Sequence, residues 1–304
     1  MSRVRDLIII GAGPAGITAA VYAARKRMDF VVITLDIGGQ TAWSGDIENY
    51  TGYQFISGTD LAAKFEEHAR KYDVDIHMPE SVSDISSGDR VVTVRSDKGE
   101  YSARTLIIAS GKHSRKLGVP GEEKYRNKGV AYCATCDGPI FSGKKVVVVG
   151  GGNSGLEAVL QLVRIASEVT IVNVAPALTG DAILKEKIEA DGRIKVMNRS
   201  VVKEIKGDRF VTGILVDVSG KEEEVPAEGV FVEVGLTPNA EFAGIVGKNE
   251  LGEIKINCAC ETDIPGIFAA GDVTNVPEKQ IVIAAGEGAK AALGAFRYVS
   301  RMKG

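Results

Sequence analysis

Long apolar runs, excess charge and cysteine are all scarce in this 304-residue chain, and each shortage argues against a class of protein. No apolar run approaches the roughly 20 residues that a membrane-spanning helix needs. The formal net charge is −3, so no basic surface field favours nucleic acid or an anionic membrane. Four cysteines in 304 residues do not make a disulfide-stabilised scaffold. We therefore expect neither a membrane protein nor a nucleic-acid-binding protein.

The remaining composition is typical of a globular protein. Hydrophobic residues make up 44% and charged residues 25% of the chain, which is long enough for two domains. The first strand is expected at residues 6–10, with no charged leader, apolar stretch and cleavage site before it. These features predict a cytoplasmic protein.

Glycine, by contrast, is abundant, with 36 residues. The apolar run 7–10 predicts a buried parallel strand, followed by Gly11-Ala12-Gly13-Pro14-Ala15-Gly16, a helix to about Lys26 and a second strand at 30–33. In this setting the G-x-G-x-x-G glycines allow a tight turn and close approach of the backbone to a pyrophosphate at the helix N-terminus, where Pro14 suits the first turn. Asp36 lies about 20 residues beyond Gly16, where an acidic residue binds the adenosine ribose. It is placed slightly past the strand, so a solvated loop aspartate is the alternative.

The same pattern returns in the middle of the chain. A strand at 145–149 precedes Gly150-Gly151-Gly152-Asn153-Ser154-Gly155, and a helix to about Ala166 and a strand at 169–172 follow. After that strand no arginine is present to meet the 2′-phosphate of NADP. Asn173 could bond ribose hydroxyls, or it could simply begin a loop. The sequence favours NADH over NADPH.

The two fingerprints predict an α/β fold with two Rossmann-like, three-layer ββα dinucleotide-binding domains. Alternating segments at 90–95 and 210–216 predict an antiparallel β ribbon appended to each domain. No low-complexity linker divides the chain. We expect a discontinuous first dinucleotide-binding domain of residues 1–114 and 245–304, and a second nucleotide-binding domain of residues 115–244 that carries a Cys-x-x-Cys.

That Cys-x-x-Cys, Cys133 and Cys136, predicts a redox dithiol, because such spacing at a helix start lowers the pKa of a thiol. Asp137 could serve as acid or base during disulfide exchange, or act only as the turn former of Asp-Gly-Pro. Zinc binding is the alternative role for these two cysteines. Cys258 and Cys260 could complete four thiolates, but Cys-x-Cys is unusual spacing for a structural zinc site, and two cysteines in a strand would serve as small hydrophobes. The three histidines form no ligand cluster.

Taken in order, these motifs resemble the low-molecular-weight thioredoxin reductase family, most closely the flavoprotein part of the NADH-dependent alkyl hydroperoxide reductases. The resemblance runs essentially from end to end. It rests on Gly11 to Gly16, Gly38-Gly39-Gln40, Ile47-Glu48-Asn49-Tyr50, Tyr132 to Pro139, Gly150 to Gly155, Gly271-Asp272 and Lys279-Gln280-Ile281.

The resemblance implies FAD in the first domain, with Gly271 and Asp272 near its ribityl and phosphate part. Three amide side chains would lie around the flavin. The FAD-binding residues implied by these motifs, beyond the first fingerprint, are Gly39, Gln40, Asn49, Gly271, Asp272, Lys279, Gln280 and Ile281.

By the same resemblance, Cys136 would lie against the flavin and Cys133 would attack the partner disulfide, with Asp137 supplying a proton. The implied partner is a thioredoxin, a glutaredoxin-like protein or a protein disulfide oxidoreductase, and the enzyme would be a homodimer. The alkyl hydroperoxide reductase flavoproteins also carry a thioredoxin-like N-terminal module. This sequence starts at the flavin domain, so we expect the partner to be a separate protein.

The departures from the family pattern concern the electron donor. NADPH-dependent members carry His-Arg-Arg and a further arginine at the positions of Asn173, Val174, Ala175 and Thr179. Relatives of the alkyl hydroperoxide reductase type lack that pattern and use NADH, but they usually carry a glutamate in place of Asn173. The sequence predicts hydride transfer from NADH, less readily NADPH, through FAD to Cys133–Cys136 and on to the partner protein. One alternative is a ferredoxin or a deazaflavin as donor, and another is a non-catalytic flavin- or NADH-binding redox sensor.

Overall fold

The computed structural model describes residues 3–43, 46–47, 49–132 and 134–303, and the chain groups into two compact units. Unit 1 comprises Met1–His113 and Thr237–Gly304, and unit 2 comprises Ser114–Leu236. The first unit is therefore discontinuous, and the second is one continuous insertion.

The N-terminal part of unit 1 begins with a strand–helix–strand and ends in a three-strand ribbon. Its elements are β1 (Val4–Ala12), α1 (Pro14–Arg25), β2 (Phe30–Ile37), α2 (Gln40–Trp43), β3 (Asp46–Ile47), β4 (Ile56–Ser57), α3 (Gly58–Arg70), β5 (Ile76–His77), β6 (Val82–Gly88), β7 (Val91–Ser96), β8 (Glu100–Ile108) and β9 (Lys112–Ser114).

Unit 2 follows, and the chain then returns to unit 1. The elements of unit 2 are β10 (Val130–Ala131), α4 (Ala134–Asp137), a 3₁₀ turn (Gly138–Phe141), β11 (Lys145–Val149), α5 (Asn153–Leu162), β12 (Glu168–Asn173), α6 (Ala182–Glu189), β13 (Ile194–Asn198), β14 (Ser200–Gly207), β15 (Val211–Val218), β16 (Lys221–Pro226) and β17 (Gly229–Val232). The returning elements are β18 (Leu236–Pro238), β19 (Ile267–Ala269) and α7 (Ile281–Lys303).

The sheet of unit 1 has the order β5-β2-β1-β8-β7-β6, with β19 also paired to β8. Strands β5, β2, β1, β8 and β19 are parallel, and β6 and β7 extend the sheet antiparallel. Residues 7–10 are at most 4% exposed, and they alternate between two cores. Leu7 and Ile9 belong to the core that contains α1 and α7, because successive side chains of a strand point to opposite faces. This burial on both faces explains the continuous apolar run in the sequence.

The sheet of unit 2 has the order β10-β17-β11-β12-β13 and is parallel throughout. Val146 and Val148 face the core that contains α5, and Val147 and Val149 face the core beneath the ribbon. That ribbon, β14-β15-β16, is a separate antiparallel sheet. The α/β fold with two Rossmann-like units, a discontinuous first unit and an antiparallel ribbon in each is confirmed.

The predicted C-terminal end of the nucleotide-binding domain, residue 244, lies eight residues later than the end of unit 2 at Leu236. The sequence assigned residues 237–244 to the nucleotide-binding domain, whereas they group with unit 1. Ala240 and Ala243 are buried in a core cluster of unit 1. Asn239 donates from Nδ2 to the carbonyl oxygen of Ser110 at 2.8 Å, and the Ser110 hydroxyl donates back to the Asn239 carbonyl at 2.6 Å. These contacts hold the returning chain in the first unit.

Helix α5 ends at Leu162, earlier than the predicted Ala166, and a turn occupies the next three residues. Within the described ranges, no helix combines the length and apolar character required to cross a membrane.

Candidate functional site

The first fingerprint forms a tight turn between β1 and α1. Gly11 has a φ of +98°, and a Cβ built there would lie 2.3 Å from the carbonyl oxygen of Ala109. A Cβ on Gly16 would lie 1.9 Å from the carbonyl oxygen of Gly11. A Cβ on Gly13 would meet nothing closer than an atom 4.0 Å away. The outer glycines therefore pack the turn, and the middle glycine leaves the backbone open to a ligand.

Helix α1 begins directly after Gly13, its N-cap, with Pro14 as its first residue. Gly13 has no side chain to cap the first-turn N–H groups, and a helix N-terminus of this kind attracts phosphate. Ala15 is 4% exposed and packs closely against α7, because a Cβ on Gly288 would lie 2.0 Å from the Ala15 carbonyl oxygen. Asp36 lies within β2, not beyond it as predicted, and its side chain is exposed near the strand end.

Two predicted flavin-binding segments approach each other in unit 1. Asn49 donates from Nδ2 to Oε1 of Gln280 at 3.0 Å, and Gln280 directly precedes Ile281, the first residue of α7. Gly39 has a φ of +52°, and a Cβ there would lie 3.6 Å from the Cα of Gly13. The structure thus brings Gly39 to the first fingerprint and Asn49 to the start of α7.

Gly271 is held by a buried glutamate that sequence reasoning missed. Its N–H donates to Oε2 of Glu287 at 2.7 Å, and Glu287 is 6% exposed. Gly271 has a φ of +78°, which a side chain rarely tolerates. The next residue, Asp272, is half-buried, and burial raises the pKa of its carboxyl group, although Lys279 and Lys112 act to lower it. Glu287 therefore fixes the turn that presents Asp272.

Lys279 and Gln40 are linked to each other through two residues that no motif identified. Lys279 pairs with Glu253, which also accepts from Lys112, and the Lys112 carbonyl oxygen accepts from Nε2 of Gln40 at 3.3 Å. Neither Lys112 nor Glu253 belongs to a sequence motif, so only the fold shows their position.

The second fingerprint repeats the geometry of the first. Gly150 has a φ of +134°, and a Cβ there would lie 2.1 Å from the carbonyl oxygen of Glu233. A Cβ on Gly155 would lie 2.2 Å from the carbonyl oxygen of Gly150. Gly152 is the N-cap of α5, and its nearest atom, Oγ1 of Thr179, would lie 3.9 Å from an added Cβ. Again only the middle glycine leaves the backbone open.

Asn173 is the last residue of β12, and it is buried rather than open to solvent. The side chain is 3% exposed, and its Nδ2 donates to Ala177 O at 2.9 Å, Asn198 Oδ1 at 2.8 Å and Ala175 O at 3.2 Å. A Cβ on Gly151 would lie 2.5 Å from its carboxamide. The donor capacity of Asn173 is thus used within the protein, and the side chain shapes the loop after β12.

That loop is tied to the start of α5. The Thr179 N–H donates to the Gly151 carbonyl oxygen at 2.8 Å. Asn153, the first residue of α5, accepts from the Asp181 N–H at 2.7 Å through Oδ1. Asn153 therefore organises the second fingerprint, and Thr179 lies beside its open glycine.

Glu233 is a carboxyl group at the second fingerprint that the sequence did not indicate. It directly follows β17, and its N–H donates to the Val149 carbonyl oxygen at 2.8 Å. Burial raises the pKa of its side chain to about 7, a hydrogen bond from Ser154 opposes this rise, and Glu157 adds to it. Ser154, in the first turn of α5, is therefore hydrogen-bonded to the Glu233 side chain. A Glu with such a pKa titrates near neutral pH.

Glu233 is expected to make unfolding depend on pH in a defined window. Its pKa is about 7 in the folded protein and 4.5 for an unperturbed glutamate. Between these values the unfolded chain loses the proton that the folded chain retains, so the stability from Glu233 is complete below pH 4.5 and lost as the pH rises through 7. At pH 8, Glu233→Gln should raise the free energy of unfolding by about 2 kcal/mol. Urea titrations at pH 4.5 and 8 would measure this.

Glu222→Gln, on the exposed strand β16, controls for the loss of a carboxyl group from unit 2. If the Glu233→Gln variant and the wild-type protein showed the same dependence of unfolding on pH, the interpretation of Glu233 would be wrong.

The predicted dithiol lies only partly in the described structure. Cys133 is outside the described residues, and Cys136 belongs to α4, with its side chain likewise outside them. Asp137 ends α4 and is half-buried, and burial raises the pKa of its carboxyl group. Its side chain does not cap the following 3₁₀ turn. A carboxyl group with a raised pKa holds a proton closer to neutral pH, which suits the predicted role as a proton donor.

Cys258 and Cys260 lie in a turn of unit 1, not in a strand as predicted. Cys258 is exposed, whereas Cys260 is 1% exposed and its thiol donates to the Glu287 carbonyl oxygen at 3.7 Å. Burial raises the pKa of the Cys260 thiol to about 11, which disfavours the thiolate that binds zinc. In the part of the chain that the structure describes, no group of three His, Cys, Asp or Glu residues could hold a metal ion.

The two fingerprints fit two dinucleotides. Each combines a packed first and third glycine, an open middle glycine, and a helix whose N-cap carries no side chain. In unit 1, further predicted flavin residues converge on this turn through Gly39 and through Ala15 beside α7. Such a site binds pyrophosphate by backbone N–H groups and the helix dipole.

Comparison with known proteins identifies the family. A family model described as pyridine nucleotide-disulphide oxidoreductase matches residues 5–288. The F subunit of alkyl hydroperoxide reductase from Pseudomonas aeruginosa is 44% identical over 304 residues, which cover 97% of this chain and 58% of the relative. A Bacillus subtilis protein named NADH dehydrogenase is 41% identical over 299 residues, covering 97% of this chain and 59% of that protein. The crystal structure of Lactococcus lactis thioredoxin reductase matches with a TM-score of 0.90 and 37% identity, covering 98% of this chain and 99% of that one.

The chain spans somewhat less than three fifths of the length of these two curated relatives, while it matches the thioredoxin reductase structure over nearly its full length. The predicted resemblance is confirmed, and the family implies FAD and a nicotinamide cofactor. With two dinucleotide fingerprints of matching geometry, a thioredoxin-reductase-like fold and a family match over most of its length, the chain belongs to the pyridine nucleotide-disulphide oxidoreductases.

Proposed function

We propose that the protein reduces a disulfide of a partner protein at the expense of NADH, using FAD in unit 1 and the Cys133–Cys136 pair of unit 2. The observation that carries the proposal is the pair of open middle glycines, Gly13 and Gly152, one in each unit. A disulfide reductase of this kind needs two dinucleotides and one dithiol, and the chain carries two dinucleotide fingerprints and one Cys-x-x-Cys. Bound FAD would supply the conversion of a hydride into the two electrons that open a disulfide.

The residues of the chain would position the cofactors and control protons. In unit 1, Gly13 and the N-terminus of α1 would hold the FAD pyrophosphate, and Asp272, Asn49 and Gln280 would bind the remainder. Asp36 would bind the adenosine ribose. The support is the position of Gly13 at the start of α1 and the contact between Asn49 and Gln280.

In unit 2, Gly152 and the N-terminus of α5 would hold the nicotinamide dinucleotide. Cys133 would attack the partner disulfide, Cys136 would then close the intramolecular disulfide, and Asp137 would provide the proton for the leaving thiolate. The half-buried carboxyl group of Asp137, with its raised pKa, supports the last role.

The partner proposed is a thioredoxin, a glutaredoxin-like protein or a protein disulfide oxidoreductase. A thioredoxin with a potential of about −270 mV is a suitable acceptor for a dithiol of this type. By the same family relationship the chain is proposed to be a homodimer, which sedimentation velocity would test. NADH-driven reduction of an oxidised thioredoxin would support the function. A colourless preparation without flavin would contradict it.

NADH is proposed as the donor because the loop of residues 173–181 contains no lysine or arginine. A 2′-phosphate carries two additional negative charges, which an NADP site meets with arginine. Asn173 cannot select NADH actively, since its side chain is occupied within the loop. The name of the Bacillus subtilis relative, NADH dehydrogenase, also supports this choice.

NADH should therefore bleach the flavin more efficiently than NADPH, by about tenfold or more in kcat/KM, because a tenfold ratio needs only about 1.4 kcal/mol. Anaerobic stopped-flow with NADH, NADPH and reduced ferredoxin in parallel would measure the three rates. Faster bleaching by reduced ferredoxin than by either nucleotide would favour the alternative donor, and faster bleaching by NADPH would contradict the assignment of NADH.

NADPH is the second candidate donor, and one contact favours it. Arg199 is exposed, and its backbone N–H donates to the Ala175 carbonyl oxygen at 3.0 Å, which places this residue beside the loop after β12. Arg199→Ala separates the candidates. If Arg199 meets a 2′-phosphate, the variant should raise the KM for NADPH and leave the KM for NADH unchanged.

A further inference from the structure

Glu253 is a nearly buried carboxylate that forms ion pairs with two lysines from distant parts of unit 1. It is 6% exposed. Lys112 Nζ donates to Oε1 at 2.8 Å, Lys279 Nζ lies 3.1 Å from the same oxygen, and Asn249 Nδ2 donates to Oε2 at 2.7 Å. Burial alone would raise the pKa of Glu253, but the hydrogen bonds from Lys112, Asn249 and Lys279 lower it to about 2. Glu253 therefore remains ionised at every pH at which the protein would work.

The two lysines are themselves poorly exposed, with side-chain exposures of 11% for Lys112 and 22% for Lys279. Lys112, Lys279 and Glu253 form an ionic cluster of two ammonium groups and one carboxylate. One positive charge is therefore not compensated within these three residues. Two further carboxyl groups interact with these lysines, Asp272 with both and Glu287 with Lys279. Burial raises the pKa of each carboxyl group, and the lysines oppose that rise. Because the surroundings are poorly hydrated, this charge acts over a longer distance than a surface charge would.

The cluster of Lys112, Glu253 and Lys279 is connected to several of the segments assigned to the flavin. The Lys112 carbonyl oxygen accepts from the Gln40 side chain at 3.3 Å. Lys279 immediately precedes Gln280, whose side chain accepts from Asn49 at 3.0 Å. The cluster thus lies among the segments that carry Gln40, Asn49, Asp272 and Gln280, although Lys112 and Glu253 belong to no motif.

We propose that Lys112, Glu253 and Lys279 form an ionic network that sets the redox potential of the flavin and fixes the segments that hold it. The proposal rests on the proposed placement of FAD in unit 1. Reduction adds negative charge to a flavin, so a nearby positive charge stabilises the reduced form and raises the potential. Within the network, Glu253 offsets part of the positive charge of the lysines. These are positioning residues, because they act through charge and through the segments they hold.

Two single variants should shift the potential in opposite directions. Lys112→Met removes a positive charge and should lower the flavin potential, while the backbone contact to Gln40 is unaffected. Glu253→Gln removes the negative charge, keeps the size of the side chain and should raise the potential. Each should change the ratio of reduced to oxidised flavin at a fixed potential by about tenfold, which corresponds to about 30 mV for a two-electron couple. The double variant should return towards the wild-type value.

Potentials would be measured on purified holoenzyme against reference dyes, with FAD stoichiometry and a thermal melt recorded for each variant. Glu66→Gln removes the carboxylate of an exposed ion pair in α3, with Arg70, and should leave the potential unchanged. If the network were purely structural, both single variants would retain FAD less well, and their flavin potentials would shift in the same direction or not at all. That result would overturn the proposal. If Glu253→Gln failed to retain FAD, Lys112→Met and Lys279→Met would still decide it, since both should lower the potential. Wild-type protein without FAD would instead contradict the proposed function.

Discussion

A Cys136→Ser variant is expected to lose reduction of the partner disulfide almost completely, by at least about a thousandfold in kcat/KM. Serine cannot form the disulfide that must open and close in every turnover. NADH should still bleach the flavin, because the nucleotide and flavin sites do not require the thiol. Stopped-flow bleaching and a coupled thioredoxin assay on the same preparation would separate the two half-reactions.

The same variant tests the division of roles between the two cysteines. If Cys133 attacks the partner, Cys136→Ser should accumulate a mixed disulfide with an oxidised thioredoxin, visible on a non-reducing gel, whereas Cys133→Ser should not. Cys258→Ser is the matched control, since Cys258 is an exposed free thiol in unit 1 and its loss should leave both half-reactions unchanged. Wild-type partner reduction by Cys136→Ser would refute the proposed dithiol.

Alanine at two glycines of the second fingerprint should have two different effects. At Gly150 a Cβ would lie 2.1 Å from the Glu233 carbonyl oxygen, with a φ of +134° that alanine tolerates poorly. At Gly152 a Cβ would meet nothing closer than Oγ1 of Thr179 at 3.9 Å. Gly150→Ala should therefore destabilise unit 2 by about 3 kcal/mol or more. Gly152→Ala should leave folding intact and weaken NADH binding at least about tenfold, because the new methyl group occupies the approach of the pyrophosphate.

Chemical denaturation and NADH titration of both variants would distinguish these outcomes. The flavin of Gly152→Ala should remain bound and should still be reduced by dithionite, which confines the defect to the nucleotide. Normal NADH affinity in Gly152→Ala would show that the open glycine is not the pyrophosphate site.

The sequence identified the parts of the fold whose signals are local. The apolar run 7–10 is bounded by Gly11, and the run 145–149 by Gly150, so strand, turn and helix could each be recognised within a few residues. The fingerprints add specific positions, because only certain glycines are compatible with the turn. These local rules predicted both Rossmann-like units and the ribbons.

The features that sequence reasoning missed depend on contacts between distant residues. Asn239 and Ser110, which hold the returning chain in unit 1, are 129 residues apart, and no motif marks either one. Lys112 and Glu253 are 141 residues apart. Asn173 was interpreted from its position at the end of β12, whereas its side chain is engaged by Asn198, which lies on the neighbouring strand β13. Only the fold brings such partners together.

The discontinuity of unit 1 imposes an order on the synthesis of the protein. Strand β1 and helix α1 are translated before unit 2, but α1 packs against α7, which is translated after it. Gly288 of α7 lies against Ala15, and the turn at Gly271 needs Glu287. The whole of unit 2 is translated in between, and as one uninterrupted stretch it can fold as soon as it has emerged. The face of α1 that packs against α7 therefore stays uncovered until unit 2 has been translated. The second fingerprint along the chain, in unit 2, can therefore fold before the first.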